Sequence, residues 1–454
     1  MRILNRKNLH LINHFSIYDL WGNIEKPILS VKPVLFLVFI LGIQNGTAQY
    51  KTTEIKNRIE YLCLDKGLQD LIEIDDESIK LFASNKIKSE NPEFTLYWDE
   101  VPYFINISKT LTLDSLVKIY SEKKNIHKKK EWRTDPNKLN NQKLKGLKGK
   151  KIAIDPGHFA GNMATARIEQ KYLDFQIQNA GGETKKIQIA EGMLTWQTAY
   201  LLKKALEAEG AEVMLTRPEI NSTSFGTSYD KWFEKEKQKN LDSLKNCKKI
   251  SGQEHKKYMS ASKKQFFWDF FRDYELANRV KIMNAFQPDL SIIIHYNVDE
   301  KNTDWKKPSD KNFTMCFIGG GMTLDNFEKT AQKINFLRLL VSDDLEQSEK
   351  ISKHTVNEFS KNLAIKIAEA DDADYLKQKC SRTKTPGVFC RNLALCRNVT
   401  SPLVYGECLY QDNLRECTEL IKTDRIYSNI RTSQRVKLVS DSYLNAIKKY
   451  FEEY

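Results

Sequence analysis

Two short apolar runs that each end on a histidine constrain the fold of this chain more than any other feature. Ile152-Ala153-Ile154 leads through Asp-Pro-Gly into His158, and 290–294 leads directly into His295. Apolar runs of this length are typical of strands buried in a parallel sheet. In an open α/β sheet, reactive groups gather at the carboxyl ends of the strands. The two imidazoles are therefore predicted to meet at one sheet edge, where neutral imidazole is a common zinc ligand.

Strand and helix patterns alternate along residues 149–454. The strand that ends near Ile154 is followed by a predicted helix at 191–209 and a strand at 212–216. This alternation predicts an α/β fold, with a mostly parallel twisted sheet and helices on both faces. The remaining predicted elements are helices at 274–286, 356–370 and the C-terminus, and strands at 290–295, 313–318, 388–390 and 403–405.

A small N-terminal α+β accessory region is predicted at residues 50–122, ahead of the main domain. Its segments 78–83, 94–98 and 103–107 alternate between apolar and polar residues, as strands do. Residues 123–148 are interpreted as a solvated basic linker, and they carry much of the net charge of +13. No zinc-finger, RNA-recognition or basic-zipper spacing accompanies these lysines, which argues against nucleic-acid binding.

The apolar run at 34–43 indicates a secretory signal peptide within a leader at residues 1–49. The run is too short to cross a bilayer comfortably, Lys32 precedes it, and Gly46-Thr47-Ala48 offers a small-x-small cleavage pattern. A periplasmic or secreted protein with no stable membrane span after cleavage is therefore expected. A membrane anchor and a buried core segment are the rival interpretations. Because the run begins about thirty residues into the chain, one hypothesis is that translation starts near Val31.

Eight cysteines are present, and five of them fall between Cys380 and Cys417. No pair has the CxxC spacing of a structural zinc site. Export would permit disulfides, whose pairing the sequence does not define. Small buried thiols are an equally good interpretation.

Two carboxylates are candidates to complete a metal site. A catalytic zinc usually has three protein ligands and one open position. Glu191 opens the helix at 191–209 and is the best third ligand, although a helix N-terminus favours a carboxylate in any case. Glu407 follows the strand at 403–405 and shares the topological position of the histidines, so it is a candidate general base. Its alternative role is a charge where the chain emerges into water.

Four segments in order resemble the zinc-dependent N-acetylmuramoyl-L-alanine amidases of the amidase-3 type. The resemblance extends from Lys150 to about Arg415. The closest match is the stretch from Leu276 to Asn297, which is similar to the family's Arg-bearing helix and the strand with its second histidine. The four segments are 152–158, Glu191 with the helix and strand that end at Thr216-Arg217, 276–297 and 401–407.

This resemblance implies a zinc ion held by His158, Glu191 and His295, with Glu407 as general base and acid. It implies hydrolysis of the peptidoglycan amide that joins the lactyl group of N-acetylmuramic acid to the L-alanine of the stem peptide. Arg279 and Asn297 are expected to orient ligands or substrate, or else to serve packing and capping only. A zinc peptidase acting on wall peptides and a non-catalytic wall-binding protein on the same fold are the alternative functions.

The chain departs from the family pattern by insertions near 159–190, 219–272 and 299–370. The first insertion contains Glu169 and Glu183, which are rival third ligands. Some members of the family cover the zinc with added elements until a partner removes them. A covering role for 219–272, with an activator protein as partner, is therefore a hypothesis. The residues after Glu407 lack the family's Gly-Phe pair, which leaves the substrate preference open.

Overall fold

A computed structural model describes residues 54–83, 91–121, 146–178 and 182–453 of this protein. The predicted signal peptide and nearly all of the predicted linker lie outside these residues. The described residues all belong to one compact unit. None of the helices within the described ranges combines the length and apolar character needed to cross a membrane.

Strands and helices are interspersed along the main domain. Its strands are β4 Lys151–Pro156, β5 Tyr172–Gln178, β6 Thr184–Ala190, β7 Glu212–Leu215, β8 Leu290–Asn297, β9 Phe313–Ile318, β10 Lys366–Ile367, β11 Ser381–Arg382, β12 Val388–Cys390, β13 Leu403–Tyr410, β14 Arg425–Tyr427 and β15 Ile430–Thr432. Its helices are α3 Met163–Glu169, α4 Glu191–Ala208, α5 Tyr229–Lys235, α6 Lys237–Asn246, α7 Gly252–Ser260, α8 Lys263–Phe266, α9 Arg272–Phe286, α10 Leu324–Phe327, α11 Thr330–Val341, α12 Asp344–Leu363, α13 Asp374–Lys379, α14 Ala394–Asn398, α15 Leu414–Leu420 and α16 Gln434–Glu452.

The central sheet has the strand order β11-β12-β9-β13-β8-β4-β7, with β10 beside β9. Strands β7, β4, β8 and β13 are mutually parallel, whereas β9 runs antiparallel to β13. Nearly every residue of β4 and β8 is buried, as expected for parallel strands that are covered on both faces. The predicted mostly parallel α/β sheet is therefore confirmed.

Helices cover both faces of this sheet. Helices α4, α12 and α16 pack on one face, where Ile152, Ile292 and Val404 point into the larger hydrophobic core. Helices α9 and α14 lie on the other face, above Ile293 and Phe317. Because side chains alternate along a strand, residues 295 and 407 share this second face with 293 and 405.

Two predicted elements are wrong in type or position. Residues 101–110 form a helix rather than the predicted strand at 103–107, with Pro102 in its first turn and Phe104 and Ile107 buried on one side. The predicted helix at 356–370 lies at Asp344–Leu363 instead. It ends where Ala364 adopts a left-handed conformation, with φ of 52°.

The accessory region packs onto the main domain. It comprises helical residues 54–62, an antiparallel sheet and two further helices. Its backbone joins the main domain where Leu64 N–H donates to Met322 O at 2.8 Å and Gly321 N–H donates to Tyr61 O at 2.9 Å. Its apolar residues share one core with the central sheet. The elements are β1 Ile72–Ile74, β2 Ser78–Leu81, β3 Phe94–Tyr97, α1 Val101–Thr110 and α2 Leu113–Ser121.

Candidate metal centre

His158 is held in a turn just beyond the carboxyl end of β4. Its backbone has φ of 57°, in the left-handed region that non-glycine residues seldom adopt. Arg279 stabilises this turn by donating to His158 O at 2.9 Å and to Pro156 O at 3.0 Å. Arg217 also donates to Pro156 O, at 3.0 Å. The two buried guanidinium groups thereby fix the position of the strained turn that carries His158.

Glu191 is the first residue of α4 and is buried. Its backbone N–H donates to Lys171 O at 3.2 Å, which ties the start of the helix to the preceding hairpin. Its carboxylate oxygens lie 3.3 Å from His158 Nε2 and 3.1 Å from His295 Nδ1. Burial would raise the pKa of Glu191, but the charge of His158 and hydrogen bonds from both imidazoles hold it well below the usual value. Glu191 therefore presents an ionised carboxylate between two imidazoles.

His295 lies near the end of β8, and its ring stacks on Tyr405 with a centroid distance of 4.5 Å. The two imidazoles are 4.9 Å apart, centroid to centroid. Burial is the main cause that lowers the pKa of His295, which favours the neutral imidazole that binds metals. Gly157 leaves room for the ring, because a Cβ at that position would overlap both His295 and the carbonyl of Ile294.

The three side chains fit a single divalent ion. One ligand atom from each of His158, Glu191 and His295 lies within 4.8 Å of the other two. Nitrogen and oxygen ligands bound tetrahedrally to one zinc ion lie ~3.4 Å apart. Each imidazole nitrogen lies at a similar distance from a different oxygen of the Glu191 carboxylate, 3.3 Å from Oε2 for His158 and 3.1 Å from Oε1 for His295. Two imidazoles with one carboxylate are also a donor set found in catalytic zinc sites.

Glu169, the rival ligand, contacts the opposite nitrogen of His158. His158 Nδ1 donates to Glu169 Oε1 at 2.9 Å, and Glu169 Oε2 accepts from the backbone of Phe159 and Ala160. This bond leaves His158 Nε2 facing Glu191. The other rival, Glu183, is exposed at the tip of the β5–β6 hairpin. Glu169 is thus placed to orient the imidazole of His158 through the nitrogen that does not face Glu191. Carboxylates commonly accept such a hydrogen bond from metal-binding histidines.

Glu169→Gln is expected to weaken metal binding by about 10- to 100-fold, because the amide keeps the shape of the carboxylate but lacks its charge. Competition for zinc against a chromophoric chelator measures the affinity. Glu183→Gln is the matched control on the same insertion and should leave the affinity unchanged. Equal affinities in Glu169→Gln and the wild type would contradict an orienting role.

Glu407 lies on β13, where it pairs with His295 of β8 and Met315 of β9. Its Oε2 atom is buried and has no hydrogen-bond partner among the described residues. Burial and then the charge of Glu191 raise the pKa of Glu407 to about 8, against the opposing charges of Arg391, Lys171 and His158. A buried oxygen without a partner is costly, and such atoms are commonly found where a ligand, ion or proton is to be received.

Arg279 and Asn297 differ in their surroundings. Arg279 binds Glu275 at 2.7 Å and Asp155 at 3.3 Å in addition to the carbonyls of the His158 turn, so its donors are used within the protein. Asn297 donates to Tyr375 Oη at 3.0 Å and accepts from the next backbone N–H. Both stay candidates for orienting roles, and the contacts of Arg279 favour support of the His158 turn.

A cavity of about 370 Å³ lies beside the two histidines. Its wall includes residues from two insertions, Lys171 from the first and Phe267, Trp268 and Arg272 from the second. The second insertion is built around a cluster of aromatic rings. Neither Lys171 nor the orienting role of Glu169 was marked by a sequence pattern, since both lie in a segment without the family's motifs.

One protein family and several solved structures are similar to this chain. The family model described as N-acetylmuramoyl-L-alanine amidase, Amidase_3, matches residues 152–433. The CwlD amidase of Clostridioides difficile, solved in complex with the GerS lipoprotein, is 16% identical, with 67% of this chain and 100% of that chain covered and a TM-score of 0.35. The amidase Ami1 of Mycobacterium abscessus is 15% identical, with 67% and 99% covered and a TM-score of 0.35. No curated protein matches this chain.

Proposed function

Because this chain belongs to the Amidase_3 family of N-acetylmuramoyl-L-alanine amidases, we propose that His158, Glu191 and His295 hold a catalytic zinc ion beside Glu407. The chain is a peptidoglycan amidase. The bond it hydrolyses joins the lactyl group of N-acetylmuramic acid to the L-alanine of the stem peptide. The proposal concerns the metal, the residues that bind it and the residue that moves the protons.

The convergence of three ligand atoms within 4.8 Å of one another is the observation that carries this proposal. The atoms come from the end of β4, the start of α4 and the end of β8, so their meeting results from the tertiary fold. Glu407 supports it further, because its Oε2 is buried without a partner among the described residues. If the Glu407 carboxylate had only a structural role, it would be expected to pair with a basic side chain or to accept hydrogen bonds from its neighbours.

Zinc bound at this site would supply a Lewis acid that polarises the scissile carbonyl and makes water a stronger nucleophile near neutral pH. Glu407 accepts the proton of the attacking water and returns it to the nitrogen of the leaving L-alanine. A raised pKa suits this exchange, since the carboxyl group must gain and lose a proton near the working pH. Arg279 and Glu169 keep His158 in place during these steps.

We also propose where the enzyme acts and how it is regulated. Peptidoglycan lies outside the cytoplasm, so a periplasmic or secreted enzyme is proposed, with cleavage of the leader near Gln49. The domain boundaries at residues 49, 122 and 148 are likewise proposals, drawn from the changes in sequence pattern at these positions. An activator protein that displaces residues 219–272 is proposed on the ground that this insertion borders the cavity.

Product analysis tests the proposed function. Purified protein incubated with peptidoglycan and zinc is expected to release stem peptides with a free L-alanine amine, and to leave muramic acid with a free lactyl carboxylate. Mass spectrometry of the soluble products identifies both ends. Release of peptides cut within the stem would identify a zinc peptidase instead, and no release with zinc-loaded protein would favour a non-catalytic wall-binding protein.

A further inference from the structure

The cavity beside the histidines has one wall that comes from the insertions. Lys171 lies between α3 and β5 of the first insertion, and Trp268 and Arg272 come from the end of the second. The third insertion contributes Trp305, whose carbonyl accepts from the backbone N–H of Asp174 at 3.4 Å. Residues of the first two insertions therefore line the cavity, and the third insertion contacts the first beside Lys171.

The backbone of Lys171 is fixed to the metal centre. Its carbonyl accepts the N–H of Glu191 at 3.2 Å, and its own N–H donates to Ala166 O at 3.1 Å. Its side chain is half-buried, with Nζ 4.8 Å from the centre of the Trp305 ring. The ring holds the ammonium group by a cation–π contact without neutralising its charge.

Lys171 is the uncompensated cation of the cavity wall. Among the residues that the structure describes, its ammonium group has no carboxylate partner. Arg272 is paired with Asp273 at 2.8 Å, and Arg279 is paired with Glu275 and Asp155. The charge of Lys171 nevertheless acts on both Glu191 and Glu407, since it lowers the pKa of each. A half-buried cation without a counter-ion, next to the reacting groups, is suited to bind an anion.

We propose that Lys171 binds a carboxylate of the stem peptide and so makes the enzyme selective for acidic stems; this inference rests on the proposed amidase function. The second stem residue lies one residue beyond the scissile amide, which is about 3.5 Å along an extended chain. A free α-carboxylate on that residue can form a charge-assisted hydrogen bond with the ammonium group, whereas a carboxamide cannot form the charged pair.

The test compares two disaccharide tripeptides that differ only at the α-carboxyl of the second stem residue, as free acid or as carboxamide. The zinc-loaded wild type is expected to prefer the acid by about tenfold in kcat/KM. In Lys171→Met the ratio of kcat/KM for the acid over the carboxamide should fall from about ten to about one. A change in the pKa of Glu407 does not affect this ratio, because the same base serves both compounds. Lys171→Arg should restore much of the preference, because it restores the charge.

Lys185→Met is the matched control, since it removes one exposed lysine from the same insertion. It should keep the wild-type preference, and thermal unfolding should show that all variants are folded. Equal cleavage of acid and carboxamide by the wild type would overturn the inference while leaving the amidase function intact. An unchanged preference in Lys171→Met would overturn it as well. Failure of the wild type to cleave either compound would instead overturn the proposed function.

Discussion

Glu407→Gln is expected to lower kcat by about 10³-fold while the protein stays folded and binds zinc. General acid–base catalysis by a positioned side chain typically contributes 10²- to 10⁴-fold, and this residue is proposed to serve as base and then as acid. Glutamine has almost the same shape but cannot accept a proton. The substitution also removes the repulsion between the Glu407 and Glu191 carboxylates, so no loss of folding stability is expected from it.

The measurement is the initial rate of stem-peptide release, with zinc content and thermal unfolding recorded on the same samples. Glu419→Gln is the matched control, because Glu419 is a partly exposed carboxylate on α15, paired with Lys422. It should retain wild-type activity. If Glu407→Gln and wild-type protein hydrolyse peptidoglycan at the same rate with equal zinc content, Glu407 is not the base.

The main strands could be predicted from the sequence because burial on both faces leaves a clear mark. Segments 151–154, 290–295 and 313–318 are mostly apolar, and each forms a strand at those positions. A strand solvated on one face has only its alternation as a signal, which is weaker. Thus β5 and β6, which form a separate two-stranded sheet, were not predicted.

Alternation also misled the interpretation of the accessory region. The sequence Tyr103-Phe104-Ile105-Asn106-Ile107 is compatible with either a strand or one turn and a half of helix. In the structure, Phe104 and Ile107 lie on the buried side of a helix, three residues apart. Packing against α11 decides the conformation, and such a contact between distant segments is not encoded in the local pattern.

The candidate site could be predicted in part for a similar reason. Two histidines at strand ends are a local pattern, so their meeting follows from parallel strand order. Glu191 at a helix start and Glu407 after a strand carried weaker local signals, and the family resemblance supported the roles that these positions suggested. Glu169 and Lys171 had no local signal, because their positions depend on how the first insertion folds back over the end of β4.

His295→Ala is expected to reduce zinc binding from about one ion per chain to a small fraction of that and to abolish measurable hydrolysis. A catalytic zinc with three protein ligands becomes a weak two-ligand site when one imidazole is removed. Removal of zinc from the wild type by a chelator should give the same loss of activity, which added zinc should reverse. The His295→Ala variant should not gain activity at the zinc concentration that restores activity to the chelator-treated wild type, because its metal site lacks one ligand.

Metal analysis of dialysed protein and peptide-release rates give the two readouts. His354→Ala is the matched control, since His354 lies on α12 and pairs with Glu453 at 3.3 Å, away from the other histidines. It should keep both zinc and activity. Full zinc content and full activity in His295→Ala would show that the three converging side chains are not the metal centre. Retained zinc with lost activity would separate metal binding from catalysis and would place His295 among the groups that contact substrate.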